Sequence, residues 1–246
     1  MQGPTPHRST GITAPMAPVR SLTSAVHASL RADILTCRLP PGEKLPIAVL
    51  AKRFDVSLSA VREALSRLVA DGFVQSEDQR GFRVTPLDLQ DLEDLTRTRI
   101  EIETLALRHA VREGDREWEA RVRGAWDALR QVPYALARQA SPHDGSWADL
   151  HFAFHESLLS GCGLAWMMRI QRTLFEQSER YRALARAAPE GGERDAHSEH
   201  QALFEAAMDR DPEAAAHALS NHYARTLDLA RRVLEPLSSS HGADAS

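Results

Sequence analysis

Cysteine is scarce in this chain. Cys37 and Cys162 are the only two in 246 residues, too few and too far apart for a disulfide framework or a thiolate metal site. Long apolar runs are missing as well: none approaches the roughly 20 residues that span a bilayer, so no membrane partner is expected. The N-terminal segment carries Pro4, Pro6, Pro15 and Pro18 but not the apolar core of a signal peptide, which argues against export. A reducing cytoplasm is the expected compartment. Nor is there a strong charge of one sign, the formal net charge being −4. That small value hides an asymmetry. Residues 20–86 hold ten Lys and Arg against seven Asp and Glu, whereas residues 87–246 hold nineteen against twenty-seven. The N-terminal part is therefore the only candidate surface for a polyanion, and a modest one.

What is present fits a globular protein of two ordinary domains, with 43% hydrophobic and 26% charged residues. Residues 1–19 lack apolar periodicity and read as a disordered tail. From Leu22 to about Thr36, Val26, Leu30 and Ile34 recur at helical spacing, and Leu39-Pro40-Pro41-Gly42 ends that helix. A shorter helix is expected from about Pro46 to Phe54, with proline at its first turn. After Asp55-Val56-Ser57, apolar residues at Val61, Ala64, Leu65, Leu68 and Val69 mark a third helix with one buried face. Ser57 or Ser59 can cap its start, and Gly72 sits where a left-handed residue closes its end. Two short helices joined by such a turn read as a helix-turn-helix. The exposed face of the third helix carries Ser59, Arg62, Ser66 and Arg67, side chains suited to phosphates and guanine edges. Phe73-Val74-Gln75, a polar turn over Ser76–Gly81 and Phe82-Arg83-Val84 make a hairpin tipped by Arg80 and Gly81. A basic hairpin in this place is a wing.

Beyond Leu87 no strand pattern and no internal repeat is evident. Helical stripes run through about 88–112, 115–131, 146–160, 163–187, 193–208 and 212–235, separated by Gly114, Ser141–Gly145, Gly161-Cys162-Gly163, Pro189–Gly192 and Asp211-Pro212. The fold class expected is mainly α: a winged helix-turn-helix over 20–86, an antiparallel helical bundle over 87–236 and a frayed tail over 237–246.

Four histidines stand out in the bundle. His151 and His155 lie one turn apart on the stripe of Trp147, Leu150, Phe154 and Leu158. His200 falls on the line of Ala196, Leu203, Phe204 and Ala207, and His222 on that of Ala215, Leu219, Leu229 and Val233. A lone inward histidine is usually a satisfied core residue. Four on three helices need four separate hydrogen-bonding solutions or one shared cation, since an unpaired buried imidazole costs ~1–3 kcal/mol. No carboxylate lies on those stripes; Asp149 is two residues off and is expected to point elsewhere. Imidazole donors suit a divalent transition metal, Zn or Ni before Mg or Ca. His197 could exchange roles with His200, whereas His217 and His143 read as surface residues.

Residues 21–86 resemble the N-terminal domain of the GntR family of bacterial transcription regulators. The resemblance rests on Pro41-Gly42-Glu43-Lys44-Leu45, Leu50-Ala51, Val56-Ser57, Val61-Arg62-Glu63-Ala64-Leu65, Leu68, Asp71-Gly72 and Arg80-Gly81-Phe82-Arg83-Val84. The remainder is similar to the FCD domain of the FadR subfamily, through Arg99–Glu103, Phe154-His155-Glu156-Ser157-Leu158, Glu199-His200 and His222. The resemblance implies a homodimer on a palindromic DNA operator, its two heads about one helical turn of DNA apart. The candidate DNA contacts are Ser57, Ser59, Arg62, Arg67, Arg80 and Gly81, of which Arg62 and Arg80-Gly81 match the family. Leu58 and Ala48 stand where the family commonly has arginines, so the operator sequence does not carry over. For Arg62 the alternative is a solvated or salt-bridging arginine, and Arg67, Lys52 and Arg53 share it. In the bundle the resemblance implies a divalent metal held by His151, His155, His200 and His222, with His151 at the place of a usual aspartate. It also implies a small carboxylate effector, of the sugar-acid, hydroxy-acid or amino-acid kind, met by Arg99. An i+4 pair of Arg99 with Glu103 is the other reading of that arginine.

Three functions are thus in view. The first is a metabolite-controlled repressor. The second is a constitutive DNA binder whose metal is purely structural. The third is a metal-dependent enzyme on the bundle, which would leave the DNA module unexplained and lacks a general base on the histidine stripes.

Overall fold

The computed structural model describes residues 22–77, 80–134, 147–187 and 195–241, with side chains to Glu235. The N-terminal tail, the wing-tip residues Asp78 and Gln79, the connections around His143 and Pro189–Gly192 and the last residues lie outside this description.

The head begins with α1 (Leu22–Leu35), which buries Val26, Leu30 and Ile34 as its periodicity requires. Cys37 at φ 54° then turns the chain toward the two prolines. Helix α2 (Ile47–Phe54) starts after Pro46 and stops at Asp55, a left-handed residue whose N–H bonds back to Ala51 O. Helix α3 (Leu58–Ala70) is capped by Ser57, whose hydroxyl accepts from the Ala60 N–H at 3.2 Å. Gly72 at φ 79° makes the exit, a conformation that would strain any side chain with a Cβ. Strands β1 (Val74–Glu77) and β2 (Gly81–Val84) pair antiparallel, with Val74 opposite Val84 and Glu77 opposite Gly81. The turn is thus shorter than the Ser76–Gly81 stretch read from polarity, because Ser76 and Glu77 pair across the ladder and Glu77 accepts from Arg83 Nε at 2.7 Å. Leu45 N donates to Phe82 O at 2.8 Å, so the Glu43–Leu45 segment adds a third line to the wing. One apolar cluster of α1, α2, α3 and both strands forms this core.

Helices α4 (Leu89–Glu113), α5 (Arg116–Arg130), α6 (Trp147–Leu159), α7 (Ala165–Ala187), α8 (Ala196–Met208) and α9 (Pro212–His241) form the bundle. A 3-10 turn over Ser160–Cys162 joins α6 to α7. Asp88, Asp115 and Asp195 cap α4, α5 and α8 by accepting backbone N–H groups. Helix α4 packs along α9, α8 against α9 and α5 against α6, around Leu107, Trp118, Phe154, Leu158 and Leu203. Helix α9 runs through Pro236 to His241, past the boundary drawn at 236 from the sequence. Among the described residues no helix is long and apolar enough to cross a membrane.

Helix α7 joins the two parts. Its Glu176 pairs with Arg31 of α1, its Gln177 Nε2 donates to Asp71 O at 2.7 Å, and its Arg180 donates to Thr85 O. Cys37 Sγ reaches Arg180 O at 3.6 Å.

Candidate metal centre and DNA-facing helix

On α3 the residues that cannot enter the core are the ones the sequence singled out. Val61, Ala64, Leu65 and Leu68 are buried, which leaves Ser59, Arg62, Ser66 and Arg67 exposed. Ser57 caps the helix and lies 2.9 Å from the Ser59 hydroxyl. Arg80 and Gly81 are exposed at the wing tip. Arg67 is engaged with Glu63 one turn back, the salt-bridging alternative. Arg53 is exposed but held by Asp33, which also accepts from Arg38, and Lys52 of α2 is exposed as well. Leu58, at the first turn of α3, is 56% exposed.

In the bundle, α6, α8 and α9 bring His151, His155, His200 and His222 together. All four are buried, and one ligand atom from each lies within 4.8 Å of the others. The ring centroids of His151 and His155 are 4.5 Å apart, those of His151 and His200 4.9 Å, and those of His200 and His222 4.6 Å. His200 Nδ1 meets the Ala196 carbonyl at 2.5 Å. A carbonyl can only accept, so this contact protonates Nδ1 and leaves the Nε2 lone pair available. His222 Nδ1 donates to Glu199 Oε2 at 2.9 Å with the same effect. His151 Nδ1 and His155 Nε2 are buried with no hydrogen-bond partner. Burial, then the neighbouring imidazoles, push the pKa of both well below the usual 6.5. Neutral imidazoles with inward nitrogen atoms, two of them oriented from behind by oxygen, are what a divalent transition metal requires. The donor set fits one such ion.

As expected, no carboxylate lies on the histidine stripes, yet Glu199 reaches His222 from outside them. It is off their stripes within α8 but crosses to α9, an interhelical contact that periodicity along one helix does not register. His197 is exposed and lies tilted against Trp126 with centroids 5.3 Å apart, away from the histidine cluster, which His200 joins instead. His217 is exposed. Asp149 lines a different cavity, together with Phe152 and Arg172.

Arg99 is buried and forked onto Glu103, with Nε to Oε1 at 2.7 Å. Its Nη1 donates to Ser178 Oγ at 2.9 Å, and its Cζ lies 4.0 Å from the Tyr223 ring centre. The intrahelical alternative therefore describes this arginine. Two arginines of α7 share a cavity with three of the histidines. Arg182 and Arg186 line a cavity of about 20 Å³ with His151, His200, His222, Trp147 and Thr226. Both are held by Glu179: Arg182 Nε donates to Oε2 at 2.9 Å, and Arg186 donates to Oε1. Burial lowers the Arg182 pKa to about 10; Glu179 supports the charge and Arg99 and Arg186 oppose it. The sequence reading missed this group. Its signal was the spacing Glu179, Arg182, Arg186 on the face of α7 that carries Phe175.

The family described as "Bacterial regulatory proteins, gntR family" matches residues 22–84, and the FCD domain matches residues 94–225. A relative from Paraburkholderia xenovorans (strain LB400), "Uncharacterized HTH-type transcriptional regulator BphR", is 42% identical over 218 residues, 89% of each chain. The "HTH-type transcriptional repressor GlaR" of Escherichia coli (strain K12) is 29% identical, covering 83% of this chain and 94% of its own. Among solved structures, "E. coli McbR/YncC" superposes with a TM-score of 0.69 at 21% identity, over 86% of this chain and 98% of its own. That likeness bears on the fold alone.

Proposed function

Because the chain belongs to the gntR family of bacterial regulatory proteins, carries an FCD domain and is a transcription regulator rather than an enzyme, we propose that it is a metal-dependent repressor. It binds a palindromic operator as a homodimer and is controlled by a small carboxylate taken up beside the four histidines. Zn or Ni is the expected metal, held by His151, His155, His200 and His222. When bound, the metal supplies a positive charge that attracts an anion. The observation that carries this reading is the buried histidine set, with partnerless nitrogen atoms on His151 and His155.

On the DNA side Arg62 is the groove-reading arginine, Ser57 and Ser59 meet phosphate, and Arg80 with Gly81 reaches an adjacent groove or backbone. The exposed Leu58 offers methyl groups to a thymine methyl where the family commonly places an arginine. Repression is favoured by the name of the GlaR relative. A second copy is favoured by Leu164, Trp166 and Ile170, exposed by 46%, 73% and 43% around the start of α7.

The test is metal analysis of purified protein with operator-binding titrations, with and without a panel of sugar acids, hydroxy acids and amino acids. Bound metal and a carboxylate-dependent change in operator affinity are expected. Loss of both is expected in His155→Ala and His200→Ala. Protein that carries no metal and is unmoved by either substitution would defeat the reading. A structural metal is a second reading, favoured by the small size of the chamber, about 20 Å³, which is room for an ion or one water. Chelation that lowers the melting temperature but leaves the effector response intact would select it.

A further inference from the structure

The histidine chamber is too small for even a two-carbon acid, so a carboxylate can enter only if a lining group moves. Among the lining residues, the long flexible side chains are Arg182 and Arg186, and both are tied to Glu179. Glu179 and Arg186 also line a second cavity, of about 230 Å³, between the head and the bundle. Its other walls include Arg31 and Thr36 of α1 and Arg172 and Glu176 of α7. One carboxylate thus lines the roomy cleft and reaches the small chamber through the two arginines that it holds. It bridges two guanidiniums that face the chamber, as a ligand carboxylate would.

We propose that Arg182 and Arg186 are the anion-docking pair of the histidine chamber and that Glu179 is a built-in stand-in for the ligand. A ligand carboxylate takes over the two guanidiniums, and Glu179 is released into the interdomain cleft. This assignment rests on the effector reading above and names the residues that read the effector. No bond is made or broken; one carboxylate replaces another on the same two cations. The class of ligand follows from the fork geometry and the space: a carboxylate of a few carbon atoms.

The exchange also has a route to the DNA. In the cleft the displaced Glu179 faces Arg31, the α1 arginine that Glu176 holds at 2.5 Å. Glu176, Gln177 and Arg180, within four residues of Glu179, carry contacts of α7 to Arg31, Asp71 and Thr85. A second carboxylate beside Arg31 changes the balance of that seam, and two sites that share one two-state element are coupled.

Acetate is the probe, titrated calorimetrically into zinc-loaded full-length protein. Glu179→Gln keeps the side-chain shape but gives up the competing charge, and it should bind acetate about tenfold more tightly than the parent. Adding Arg182→Met should abolish that gain. Operator affinity of Glu179→Gln should no longer respond to carboxylates that move the parent. Equal acetate affinity in the parent and Glu179→Gln overturns the assignment, as does a gain that survives Arg182→Met, which would place the anion on the metal alone. If the parent and Arg182→Met respond equally to carboxylates in operator binding, the effector reading stands and the docking pair falls. If Glu179→Gln gains acetate but the parent's operator binding ignores every carboxylate, the docking pair stands and the effector reading falls. No acetate binding in any of the three proteins removes the docking pair.

Discussion

The head and the bundle differ in the polar groups that they bury beside their apolar cores. Among the described residues of the head, the buried polar side chain is Asp33, satisfied by Arg38 and Arg53, and all else inside is apolar. The bundle buries Arg99, Glu103, Arg182, Arg186, Glu199 and four histidines. The head therefore spends its interior on stability and keeps its chemistry on the exposed face of α3. The bundle accepts polar groups inside, where the low dielectric strengthens each interaction and makes each orphaned atom costly. Substitutions should separate accordingly: core changes in the head act through stability, and changes at the buried polar groups of the bundle act through ligands.

The largest test of this contrast is Leu65→Ala. Leu65 is fully buried in the core of the head, and truncation there should cost about 2–5 kcal/mol. Operator binding should fail while the tryptophan fluorescence of the bundle stays native, since Trp118, Trp126, Trp147 and Trp166 all lie beyond residue 87. Simultaneous loss of both signals would mean that the two parts share one cooperative core. The second test runs the other way. Stripping the metal should destabilise the bundle by ~2.7 kcal/mol relative to protein held at a free-metal concentration of a hundred times its Kd. The melting temperature followed by tryptophan fluorescence should drop with a chelator and recover with Zn or Ni. A melting curve indifferent to chelator would break the comparison, because the bundle would then hold its histidines without a cation. Smaller again is Arg62→Ala. It should remove about 1–3 kcal/mol of base discrimination with no change in melting temperature, because Arg62 is exposed. Arg67→Ala should do less, since Glu63 already engages that guanidinium.

The contrast also explains what could be read from the sequence. The head was legible because its signals are local: Ser57 before an apolar stripe, Asp55 and Gly72 at turns, and Arg80-Gly81 at a hairpin tip all act within a few residues. Each appears in the structure where its spacing puts it. The histidines were legible for the same reason, since each lies on the apolar stripe of its own helix. The partners were not. Glu199 reaches His222 on another helix, and Glu179 lines the interdomain cavity while holding two arginines of the histidine chamber. Arg99 shows the converse case. Its position resembled a ligand-binding arginine, while the i+4 geometry that engages it with Glu103 was written in the same helix. Which of two compatible partners a buried charge takes depends on packing around it, here Tyr223 and Ser178, and that packing is non-local.

The last test is a pH dependence confined to one region. His151 and His155 are held neutral, with pKa values pushed well below 6.5 by burial and by neighbouring imidazoles. In the unfolded chain they return to about 6.5. Between the depressed and the ordinary value the unfolded state binds more protons than the folded one, so stability rises with pH there and falls on acidification. In metal-free protein the contribution is fully present above pH ~6.5 and is lost below it at up to ~1.4 kcal/mol per pH unit for each histidine. The head has no buried histidine, His27 being the one histidine of its described residues and partly exposed on Asp71. Tryptophan-detected melting of the metal-free protein between pH 7.5 and 5 should therefore show the bundle weakening on acidification. Bound metal should reduce the slope, because coordinated imidazoles cannot take up protons until the ion leaves. A melting temperature of the metal-free bundle that is flat across this range would mean that the four imidazoles are not held neutral by burial.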